Sequence, residues 1–150
     1  MNSVFEVARY IINHTSEPMS ALKLQKLVYY CQAWSLAWDC VPLFGEEFEA
    51  WANGPVCRDL YNKHKGEFLI SKEFLSDVST KGVFNDNEIE TMNSVLEYYG
   101  DKEPHWLSEL THKERPWKET RGTCAQGEYC DKVIDKSLMQ EYYSGLIANE

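Results

Sequence analysis

The sequence predicts an α+β fold that is predominantly α. About six helices surround a long central helix at about residues 20–39, beside a small β-hairpin at about residues 42–52. Three observations predict it. Apolar residues recur at helical spacing behind good N-caps through most of the chain. The stretch at 20–39 is apolar nearly all round, as a helix at the centre of a domain is. Only a short segment near residues 43–51 alternates as strands do, next to turn residues.

The first helix opens at Ser3, whose hydroxyl forms a capping box with Glu6. Val4, Ala8, Ile11 and Ile12 share one of its faces, and Pro18 separates it from the next element. Ser20 caps the central helix. Leu24, Leu27, Val28, Cys31 and Trp38 follow the helical rhythm there. Leu22, Tyr29, Tyr30, Ala33 and Leu36 load its other faces, and Lys23, Gln25, Lys26 and Gln32 are its main polar residues. Pro42 stops it. Leu43-Phe44 and Phe48-Glu49-Ala50-Trp51 are then expected as two strands, with the turn at Gly45 and Glu46. Asn53-Gly54 signals a turn, and Pro55 suits the first position of a helix buried through Val56, Leu60 and Tyr61 and ended by Gly66. Residues 67–82 are the least regular, with a short strand or helical turn around 68–75. Asn85 and Glu88 cap a helix with the stripe Ile89, Met92, Leu96 and Tyr99 and an acidic opposite face. Pro104 and Pro116 each open a short helix, the second closed by Gly122. A polar loop at 123–131 precedes a last helix capped by Asp135, with Leu138, Tyr142 and Leu146 on one face.

Composition bounds the function. The 150 residues are expected to form a single domain, 1–150, and 43% hydrophobic residues exclude a largely disordered chain. No apolar run approaches the ~20 residues of a membrane span. Residues 1–6 carry no basic start or apolar core of a secretory leader, so a cytoplasmic location is expected. Twenty-four Asp and Glu against 15 Lys and Arg give a net charge of −9, so no direct nucleic-acid partner is expected. That balance suits solubility or a basic protein partner. The five cysteines, Cys31, Cys40, Cys57, Cys124 and Cys130, are expected as free thiols.

Motifs for chemistry are sparse. No phosphate-binding glycine loop and no H-E-x-x-H is present. Cys57, near a helix N-terminus, is the best lone nucleophile candidate, but His64 lies two turns on, ~10 Å away and too far for proton transfer. A small buried thiol is the plainer reading. Cys124, Cys130 and His112 offer three ligands of a zinc site without the tight spacing of a knuckle. His105 and His112 suit structural hydrogen bonds. Glu46 and Glu47 face opposite sides of a strand and cannot act as an acid/base pair. Each of the five tryptophans reads best as core. Tyr142 and Tyr143 lie on adjacent faces of the last helix and cannot be buried equally. One of them, with Trp106 or Trp117, is the candidate partner surface.

Four strings together resemble a known family. They are Lys23-Leu24-Gln25-Lys26-Leu27-Val28-Tyr29-Tyr30; Pro42-Leu43-Phe44 with Glu49-Ala50-Trp51; Asn53-Gly54-Pro55-Val56 with Tyr61; and Leu107-Ser108-Glu109-Leu110-Thr111-His112 with Pro116-Trp117. In this order they resemble the Panacea domain, the SocA-like antitoxin family of bacteria and prophages. The resemblance implies an antitoxin of a type II pair that neutralises a cognate small protein toxin by direct binding. Some relatives look like adaptors that deliver the toxin to a Clp-type protease. It implies no catalytic site and no cofactor. Its motif residues, among them Lys23, Leu24, Gln25, Lys26, Leu27, Tyr30, Trp51, Gly54, Pro55, Tyr61, Leu110, Thr111, His112, Pro116 and Trp117, are expected to serve mainly the fold. Two rival readings stand beside it: a phage-encoded interaction protein acting on a host factor, and an enzyme using Cys57 or a Cys124/Cys130/His112 metal site.

Overall fold

In the computed structural model, which describes residues 1–15 and 18–148, helix α2 (Ala21–Trp38) is the axis on which the other elements pack. Its burial on nearly every face, polar Gln25, Lys26 and Gln32 included, is what an all-round apolar helix requires. The Ser20 hydroxyl accepts from the Lys23 N–H at 3.1 Å and caps it. Helix α1 (Val4–Asn13) begins at the expected capping box. Ser3 Oγ accepts from the Glu6 N–H, and a Glu6 carboxylate oxygen accepts from the Ser3 N–H at 2.8 Å. The same reciprocal cap opens α4 (Asp86–Tyr99), between Asn85 and Glu88. Helices α1, α4 and α7 (Lys136–Ala148) lie against α2. Among the described residues there are seven helices and two small antiparallel two-stranded sheets.

The expected hairpin forms later in the chain than its turn signal at Gly45 and Glu46. Strands β2 (Glu49–Trp51) and β3 (Gly54–Val56) pair, with the turn at Ala52 and Asn53. Gly54 has φ +115°, a conformation open to glycine and strained for other residues, and that places the turn. Leu43 and Phe44 make no strand because a side chain of α2 takes their backbone groups. Gln32 Oε1 accepts from the N–H groups of Leu43 (2.7 Å) and Phe44 (3.3 Å), while its Nε2 donates to the Phe44 carbonyl (2.8 Å). Pro55 therefore sits in β3 opposite Ala50, not at a helix start. Helix α3 (Arg58–His64) begins three residues later with Cys57 as N-cap.

A second sheet contains the short strand expected around residues 68–75, while its partner strand has no counterpart in the sequence pattern. Strand β1 (Met19–Ser20) pairs with β4 (Leu69–Ile70), and the irregular 67–82 segment is anchored by this pairing. The chain then runs through α5 (Pro104–Lys113) and α6 (Arg115–Arg121), each with proline in its first turn. Asp135 caps α7, its carboxylate accepting from the Ser137 N–H at 3.0 Å. The buried stripe of α7 is Met139 and Tyr143, one residue on from the expected Leu138, Tyr142 and Leu146. Two tryptophans read as core are exposed: Trp38, at the end of α2, and Trp106 on α5.

Candidate functional site

Three of the four motif strings meet around the N-terminal half of α2. Gln25 works like a backbone clamp. Its Oε1 accepts from the Cys57 N–H (2.8 Å), and its Nε2 donates to the Cys57 carbonyl (3.2 Å) and to His64 Nε2 (3.0 Å). Because Nε2 of His64 accepts, that imidazole is neutral with its proton on Nδ1. Burial lowers the His64 pKa in keeping with this. One residue along, Lys26 is wholly buried and donates to the Pro55 carbonyl at 3.1 Å. Burial alone brings its amine down to about 7. Gly54 packs directly on it. A Cβ there would fall 2.5 Å from Lys26 Cε and 2.8 Å from Thr111 Oγ1. The glycine thus answers both a backbone angle and a close approach between β3, α2 and α5.

Helices α5 and α6 close the back of this cluster. His112 stacks on Trp117 with ring centroids 4.0 Å apart, and Trp117 Nε1 donates to the Trp51 carbonyl at 2.8 Å. Thr111 Oγ1 donates to the Ser108 carbonyl at 2.7 Å within α5. Buried Arg121 donates to Ala50 O (3.0 Å) and holds the following loop through Ala125 O and Glu128 O. Two buried polar atoms, Ser108 Oγ and His112 Nε2, have no hydrogen-bond partner among the described residues.

In front of the cluster lies an open cleft of about 430 Å³. Gln25, Asn53, His64 and Glu67 are among its polar residues, Trp51 and Tyr61 form an edge-to-face aromatic pair at 4.8 Å, and Phe68 is an exposed rim. Arg58 clasps Glu49 (2.9 Å) beside it and lies 5.1 Å over the Trp51 ring.

A second buried polar group was not legible in the sequence. Glu114 sits in the charged run Lys113-Glu114-Arg115, yet it is buried at the α5–α6 junction. One of its oxygens accepts from Tyr30 (2.7 Å) and Tyr143 (2.8 Å), and Tyr29 lies 3.1 Å from the Tyr143 hydroxyl. Burial outweighs these donors and brings the carboxyl up to about 7.

The strings that build this architecture are also what relate it to other proteins. The family model described as Antitoxin SocA-like, Panacea domain, matches residues 24–118, more than half of the chain. The chain belongs to this family. No curated protein and no solved structure matches it. The matched part of the Panacea domain runs from α2 through the first residues of α6, so it contains Gln25, Lys26, Gly54, Thr111, His112 and Glu114. The helices α1 and α7 lie outside it.

The candidate surface residues divide. Tyr143 is fully buried on the Glu114 network, and Trp117 is buried under His112, so neither is on the surface expected for it. Trp106 is exposed and Tyr142 half-buried. The chemistry candidates fare differently from an activated site. Cys57 is buried, and burial pushes its thiol up to about 12, away from nucleophilic thiolate. The Cys124 thiol interacts with that of Cys130 and is raised by it. Stacked His112 does not join them, and no three His, Cys, Asp or Glu side chains among the described residues are grouped to hold a metal. His105 is exposed, 3.6 Å from Glu109.

Proposed function

We propose that this Panacea domain is the antitoxin of a two-gene toxin–antitoxin pair and silences a small protein toxin by stoichiometric binding in the cytoplasm. The observation that carries this reading is the family match over residues 24–118, which spans the buried framework of Gln25, Lys26, Gly54 and His112. Binding, not catalysis, suits how those residues are used. Their polar atoms go into clamps on the protein's own backbone, and the one candidate nucleophile in the cluster is a raised, buried thiol. The net charge of −9 supports a toxin whose bound face is basic.

Paired expression tests the reading. The product of the adjacent small gene, produced alone, is expected to arrest growth. Co-production of this protein restores growth, and the two purify together. Arrest that this protein does not relieve overturns the reading and favours an interaction protein that acts on a host factor. The toxin's half-life in the rescued cells separates the two antitoxin mechanisms. An unchanged half-life means occlusion, and a shortened one that depends on a Clp-type protease means delivery.

A further inference from the structure

An aromatic groove of about 520 Å³ lies between α2, α4, α5 and α7. Trp34, Trp38, Tyr98, Leu110, Tyr142 and Leu146 form its walls. Trp38 is 46% exposed, Tyr98 61% and Leu146 39%. Trp34 and Trp38 lean together at 4.9 Å, so the exposed ring is held from below. Trp34 is itself fixed by donating to Tyr99 at 3.0 Å. The indole N–H of Trp38 and the hydroxyls of Tyr98 and Tyr142 have no hydrogen-bond partner among the described residues. The aromatic strip continues to Trp106 through Lys102, which lies 5.9 Å from the Tyr98 ring and 5.2 Å from the Trp106 ring. Large apolar rings with unused donors, preorganised by packing beneath them, have the composition of a binding hot spot.

Three features of the groove define its occupant. Every residue of the lining comes from a helix or a helix cap, and both small sheets pack elsewhere, so no strand edge is offered for β-addition. A groove between helices takes a helix by its apolar face. Second, α4 carries acidic residues outside the lining, Glu97 next to Tyr98 in sequence. Glu90 and Glu97 are exposed and without an ion-pair partner among the described residues. Nearby cations are largely committed: Lys102 pairs with Asp101 (3.7 Å), and Arg115 pairs with Glu119 and with Glu141 (3.5 Å), which leaves Lys113 on the lining. Third, the walls from α2, α4 and α5 belong to the shared domain, whereas Tyr142 and Leu146 on α7 lie outside the family match. The walls from α2, α4 and α5 thus fall within the family match, and the wall from α7 lies beyond it.

We propose that this groove seats an amphipathic helix of the neutralised partner, apolar toward Trp38 and Leu146 and basic along the edge that meets α4. The identity of that partner as the toxin rests on the antitoxin reading. The chemistry of the groove does not.

The test titrates the full-length protein with a synthetic amphipathic peptide, leucine at i, i+3, i+4 and i+7 with lysine elsewhere, and with its glutamate counterpart. Tryptophan fluorescence reports binding, since neither peptide contains tryptophan. The lysine peptide is expected to bind saturably and more weakly as salt rises, and the glutamate peptide is not. Trp38→Ser and Leu146→Ser each weaken it about tenfold. Phe68→Ser, an exposed ring on the other cleft, leaves it unchanged. Leu146 is exposed in the last turn of α7, so its variant reports even if Trp38→Ser loses its fold by circular dichroism. Absence of saturable binding, equal binding of the glutamate peptide, or binding unmoved by Leu146→Ser overturns the proposal. In the paired expression assay, rescue by the wild type that is lost in Leu146→Ser supports it. Rescue that persists in both groove variants overturns the groove and leaves the antitoxin reading standing. Failure of the wild type to rescue overturns the antitoxin reading, and the peptide titration still decides the groove.

Discussion

Tyr143, on the last helix, donates its hydroxyl proton to the Glu114 carboxylate at 2.8 Å, where Tyr30 of the central helix also donates. This one buried oxygen joins α7, α2 and the α5–α6 junction. The carboxyl is brought up to about 7 by burial, so the native state holds its proton more tightly than the unfolded chain does. Its contribution to stability is full below the unfolded value of ~4.3 and is lost as pH rises through about 7. Glu114→Gln keeps the shape and both tyrosine bonds and carries no charge. The wild type is therefore expected to lose on the order of 2–4 kcal/mol relative to this variant between pH 4.5 and 7.5. Urea unfolding of the two proteins at both pH values checks it, and a difference independent of pH contradicts it. His64 and His112, which burial lowers, are common to both proteins and cancel in the comparison.

Lys26 gives the opposite slope in a higher window. Its amine is brought down to about 7, so between there and the unfolded value of ~10.4 the unfolded chain binds more protons. Stability from this group rises with pH across that range. Lys26→Met removes the titration and the bond to the Pro55 carbonyl. From pH 7 to 10 the wild type is expected to gain roughly 2–4 kcal/mol on the variant. Denaturant midpoints measured in parallel decide it, and parallel curves would place Lys26 in contact with water.

Gly54 and Gly66 separate strain from collision. Both have positive φ, +115° and +89°. A methyl group at Gly54 meets Lys26 and Thr111 below 3.0 Å, whereas at Gly66 it meets nothing within 4 Å. Gly54→Ala is expected to cost about 2–4 kcal/mol and Gly66→Ala about 1 kcal/mol. Thermal unfolding of the pair measures the difference. Equal losses would mean that the backbone angle alone matters.

Leu27 lies at the centre of α2 with no exposed surface. Leu27→Ala is expected to lose about 2–5 kcal/mol by leaving a cavity among elements that cannot all collapse onto it. A loss below about 1 kcal/mol in equilibrium unfolding would remove α2 from the centre of the fold.

Much of the fold was legible because it is written locally. The capping boxes at Ser3/Glu6 and Asn85/Glu88, the cap at Ser20 and the prolines opening α5 and α6 are contacts between near neighbours in sequence. The hairpin register was not legible, because Gln32, eleven residues from Leu43, competes for the backbone of the expected strand. Of the site, the motif residues were found but their use was not. The all-round apolar pattern of α2 accounts for the burial of Lys26 but not for the backbone it meets, and nothing near Glu114 in sequence announces its burial.

By itself, the sequence determined the class of the fold, the long central helix, most helix boundaries and, through four ordered strings, the family. Those rest on periodicity, caps and motif order, each of which is a property of neighbouring residues. Tertiary structure alone decided which faces are covered. Tyr142 and Tyr143 differ by one residue, a rotation of about 100° on a helix, and only the position of α2 makes Tyr143 the buried one and leaves Tyr142 on the groove. It likewise decided that Lys26, Gln25 and Gly54 form one buried cluster. Residues almost thirty positions apart are brought together by packing, and the low dielectric that shifts their protons exists only once the elements have closed around them.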